Sequence, residues 1–164
     1  MEKKLRKQQN QLVDAGTGVI LFAVWSVAKV NLFLSVSSFF LDELYDYAAQ
    51  YGISEKFLLG TIAVITVGIL LWQLCTRIYI GINAIAEGKG QKKGWAYLVL
   101  TAFFVITDVQ TQWHIFITNF IMTGDGFTPS MVVSFCLEVV SIYVLMDLLI
   151  SGIRVKRLRK TMKE

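Results

Sequence analysis

Apolar residues in this chain gather into four blocks, each long enough to cross a bilayer, for which about 20 residues suffice. A water-soluble domain spreads its apolar residues along stripes. Blocks divided by charge and turn residues instead indicate lipid as the solvent. The first block covers residues 16–41 and is broken only by Lys29, Asn31 and small hydroxyls. The second, 57–86, opens FLLGTIAVITVGILLWQLC, continues past Arg77 and stops at Gly88 and Gly90. The third, 95–122, ends at the Thr123-Gly124-Asp125-Gly126 turn; the fourth, 130–153, follows Pro129, a residue suited to a first helical turn. With 55% of 164 residues hydrophobic, one proline and a mean hydropathy of +0.57, too little chain is left for a soluble domain. The first block is too long for a signal peptide and lacks a small-residue cleavage site, so it is expected to be retained.

Basic residues orient the blocks, because Lys and Arg stay on the cytoplasmic side. Lys3, Lys4, Arg6 and Lys7 precede the first block; Lys89, Lys92 and Lys93 lie in the 87–94 loop; Arg154, Lys156, Arg157, Arg159, Lys160 and Lys163 fill the 154–164 tail. The opposite connections, 42–56 and 123–129, hold only Lys56, beside Asp42, Glu43, Asp46, Glu55 and Asp125. The expected fold is an all-α membrane protein: four transmembrane helices in an antiparallel up-down bundle, both termini cytoplasmic. The tyrosines of 42–56 fit a short interfacial helix between the first two spans, with a lid over a cavity as the alternative. The low proline content and the absence of an N-x-S/T site are compatible with a bacterial cytoplasmic membrane.

Several functions are excluded by what these residues can build. The net charge of +4 belongs to segments flanking the blocks, which argues against nucleic acid and for anionic lipid head groups at the basic ends. Cys75 and Cys136 are expected at different depths, so no disulfide is expected between them. One histidine, His114, cannot form a bis-histidine haem or a multi-histidine zinc site, and no metal or other cofactor is expected. GKGQKKG, 88–94, lacks the strand a phosphate-cradling loop requires and reads as a flexible basic turn. No catalytic set is recognisable.

The informative residues are the ionisable ones placed in hydrocarbon, where each must find a partner or water. Counted by depth at about 1.5 Å per residue, Lys29 matches Asp108, His114 matches Glu138, and Arg77 matches Asp147. At about 100° per residue, Asp108, Gln112 and Asn119 share one face of the third block; Thr107, Thr111, His114 and Thr118 form a second row. The candidate polar site is therefore Lys29, Asp108, Gln112, His114, Asn119 and Glu138, with Arg77 and Asp147 as a structural ion pair. Asn31, Ser35, Ser38, Gly60 and Gly68 are small residues suited to helix packing. Two functions follow. One is a channel or transporter subunit moving an ion, proton or small solute along the polar face of the third block, through a path between protomers of a homo-oligomer. The other is an accessory, assembly or scaffold subunit of a larger membrane complex.

Overall fold

The structure, a computed structural model, describes residues 2–36, 50, 52, 54–118 and 129–162, with side chains left undescribed at 29–36, 55 and 129–131. Its ordered elements are helices: α1 (Glu2–Val36), α2 (Glu55–Gly88), α3 (Ala96–Phe116) and α4 (Pro129–Thr161). Three helices among the described residues, α1, α2 and α4, are long and apolar enough to span a membrane. α3, whose 21 residues include Asp108, Gln110 and Gln112, is not among them. The 42–56 connection, with its proposed interfacial helix, lies largely outside the described residues.

The basic ends read from sequence as tails are helical. α1 begins at Glu2 and α4 runs on to Thr161, because 2–11 and 154–161 contain neither proline nor glycine to break the hydrogen-bond ladder. α2 stops at Gly88, and Gly90, at φ +100°, takes the left-handed conformation that turns the chain toward α3.

The chain divides into two compact units. One comprises Met1–Phe22 with Thr76–Glu164, the other Ala23–Cys75. The first holds a core drawn from all four helices: Leu12, Ala15 and Val19 of α1, Ile80 and Ala84 of α2, Tyr97, Leu98 and Phe104 of α3, and Leu145, Leu148 and Val155 of α4. Within it, α1 and α2 approach at glycines. A methyl group on Gly81 would sit 2.7 Å from the Gly16 carbonyl oxygen, and one on Gly88 would sit 2.7 Å from that of Gln9. Such spacing lets two backbones pack directly. α3 and α4 pair in opposite directions, with Leu98 against Gly152 and Phe116 near Phe135.

The second unit contains the rest of α1 and α2. Its α2 segment exposes Phe57, Val64, Ile65, Val67, Ile69, Leu71 and Trp72, an apolar surface that is unfavourable in water and suited to lipid. Gly60 and Gly68, expected to mediate packing, are exposed, and no described residue would meet a methyl group at either. Among the described residues, Gly16, Gly81 and Gly88 approach a neighbouring backbone. Glycine permits contact, but the register of the helices decides which glycines meet a neighbour.

Candidate functional site

One buried polar cluster joins three helices of the first unit. Arg77 enters from α2 and is 4% exposed. Its Nη2 donates to Asp108 Oδ2 of α3 at 2.7 Å, and its Nη1 donates to Ser141 Oγ of α4 at 2.9 Å. The Phe104 ring lies 5.6 Å from the guanidinium carbon, on the same side of α3 one turn before Asp108. The forked planar guanidinium suits this arrangement because its two terminal nitrogens serve two helices at once. Nε is buried without a hydrogen-bond partner among the described residues.

Arg77, expected opposite Asp147, faces Asp108 instead. The side chain of Lys29, the partner expected for Asp108, lies outside the described residues. The placement of Arg77 has a geometric cause. Depth matching ranks partners by level along the membrane normal, whereas helical phase and side-chain reach decide which group at a nearby level is faced. Asp147 is half-buried, six residues further along α4 than Ser141. His114 is exposed on α3, Glu138 is half-buried on α4, and no ion pair among the described residues joins them. Gln112 is half-buried and lines a groove of about 330 Å³ with Val109, Trp113, Phe116 and Phe135. Lys29, Asn31 and Ser35 lie on the α1 backbone, but their side chains, together with Ser38 and Asn119, are outside the described residues.

A second cluster escaped the sequence reading. Glu87, 1% exposed, sits one residue before the end of α2. Its Oε2 accepts a 2.7 Å hydrogen bond from the Tyr97 hydroxyl and lies 3.1 Å from Lys156 Nζ; Oε1 lies 3.6 Å from Arg159 Nη1. Arg159 also donates to the carbonyls of Glu87 (2.7 Å) and Gln91 (2.9 Å), and Lys156 donates to that of Lys93 (2.6 Å). These cations clamp the turn that follows α2: the Gln91 and Lys93 carbonyls lie beyond the helix, and the Glu87 carbonyl also accepts from the Gly90 N–H at 3.0 Å. Lys156 also lies over the Trp95 and Tyr97 rings, at 5.2 and 5.6 Å. Two signals were available. Glu87 is the sole acid between Cys75 and Asp108, and Lys156 and Arg159 share a face at i, i+3 if α4 continues past Ile153. The expectation of a tail concealed the second.

α3 has one broad exposed side. Val99, Phe103, Ile106, Val109 and Trp113 are exposed on it. Gln110 and His114 are exposed at its edge, and Thr111 is exposed beyond them, next to half-buried Thr107 and Thr118. The Thr107 and Thr111 hydroxyls return to carbonyls of their own helix. Among the described residues no group of His, Cys, Asp and Glu could hold a metal ion. No protein-family model matches the chain, and no curated protein or solved structure matches it.

Proposed function

We propose that the protein is a four-span integral membrane protein, both termini cytoplasmic, that acts as an accessory or assembly subunit and binds a partner's transmembrane helix along the polar stripe of α3. The observation carrying this reading is the exposure of Gln110, Thr111 and His114 on a helix whose neighbouring side is apolar. Amide, hydroxyl and imidazole groups facing acyl chains are costly, and a neighbouring helix that hydrogen-bonds to them removes that cost. The pairing of Arg77 with Asp108 supports the same reading, since it neutralises the acid that a cation or proton path along α3 would use. A conducting role is the alternative reading of the same helix.

The test places a photocrosslinking residue at Gln110, at His114 and, as the lipid-facing control, at Val64 of α2, which is exposed, in native membranes. Adducts of one defined mass from Gln110 and His114, with lipid adducts from Val64, are the expected result. Lipid adducts from all three positions would remove the assignment. Ion or proton flux in proteoliposomes that disappears in Asp108→Asn would transfer the role to transport.

A further inference from the structure

Helical phase divides the cations near the end of α4. Lys156 and Arg159 turn to Glu87 and the carbonyls beyond α2. Arg154 and Arg157 lie on another face and line an open groove of about 320 Å³ with Leu158 and with Lys4, Lys7 and Gln8 of α1. Both helices contribute residues at the same i, i+3, i+4 spacing, so each presents one face to the groove. Among the described residues no acidic side chain lines it and no ion pair engages these four cations. Lys4 and Lys7 also stand in the first two turns of α1, where the helix end is already positive and a cation is unfavourable. Four like charges around one groove repel one another, and an anion between them reverses the sign of that interaction.

We infer that this groove binds the head group of an anionic phospholipid, its phosphate held by Lys4, Lys7, Arg154 and Arg157. The lipid source is favoured by position. The groove lies at the basic ends of α1 and α4, next in sequence to their apolar stretches, and in the membrane reading such ends stand at the level of the lipid phosphates. Leu158 and the aliphatic stems of the four cations supply apolar lining. Gln8, whose Oε1 is buried without a hydrogen-bond partner among the described residues, adds an acceptor that a hydroxylated head group such as that of phosphatidylglycerol satisfies. The inference rests on the membrane reading and not on the α3 partner.

The experiment measures phosphatidylglycerol retained against phosphatidylcholine by the full-length protein, using native mass spectrometry from mixed micelles. Lys7→Gln with Arg157→Gln empties half of the groove charge; Lys3→Gln with Lys160→Gln removes equal charge from exposed positions outside it. The groove pair is expected to lower phosphatidylglycerol affinity on the order of fivefold per charge, the control pair to stay near the unsubstituted protein, and Lys7→Arg with Arg157→Lys to retain binding. Equal losses from both glutamine pairs would show diffuse attraction and overturn the site, as would no preference over phosphatidylcholine. Inorganic phosphate that displaces the lipid at comparable concentration would reassign the groove to a soluble anion and overturn the lipid. Crosslinking from Gln110 is independent of every one of these outcomes.

Discussion

At the scale of single residues, burial without a partner is the dominant energy. Arg77 and Asp108 attract each other in a low-dielectric surrounding, and without Asp108 the buried Arg77 would keep its charge and lose the acid that faces it. Arg77→Met is therefore expected to destabilise the protein by about 3–5 kcal/mol, and the double variant Arg77→Met with Asp108→Leu to recover most of the loss. Thermal unfolding of the four proteins of the cycle in one detergent checks this; a double variant as unstable as the sum of the singles would contradict it. That both residues matter was legible in the sequence, because charge in an apolar block demands an explanation. Their pairing was not, since the i, i+3, i+4 geometry of three separate helices had first to be brought together.

At the scale of elements, contacts between helices depend on what their surfaces omit. Gly81 faces the Gly16 carbonyl and Ile20 so closely that a methyl group would stand 2.5 Å from Ile20 Cγ1. The side chain can rotate away, but the backbone oxygen cannot. Gly81→Ala is expected to cost about 1–3 kcal/mol, while Gly68→Ala, with no described residue in reach of the added methyl group, should be neutral or favour the helix. Unfolding temperatures of the two variants test the contrast. At the far end of α2, Glu87 ties α3 and α4 to the turn. Replacing Glu87 with Gln removes the charge facing Lys156 and Arg159, and amide exchange across residues 156–161 is expected to accelerate by about tenfold. Unchanged protection there would show that the carbonyl hydrogen bonds from Lys156 and Arg159 hold the end of α4 by themselves.

At the scale of the whole molecule, the positive residues at both chain ends and in the 87–94 loop predict one common side of the membrane. Single cysteines at Lys3, Lys160 and Gly52, in a background lacking Cys75 and Cys136, test this with a membrane-impermeant thiol reagent on intact cells. Labelling of Gly52→Cys alone is the expected pattern. Labelling of Lys3→Cys or Lys160→Cys would invert or break the proposed topology.

The sequence by itself determined the helical class, because an apolar backbone in lipid must satisfy its own hydrogen bonds and no other element does so within one segment. It also marked Arg77, Asp108 and His114 as residues needing an explanation, since polarity in an apolar block is visible without coordinates. Only the tertiary structure decided that Arg77 faces Asp108, that Gly81 meets the Gly16 backbone, and that Glu87 is buried among cations read as a tail. The physical reason is common to all three. Composition and periodicity fix which side of a helix is polar or small, whereas the partner on that side is set by the rotation, register and length of the helices packed against it.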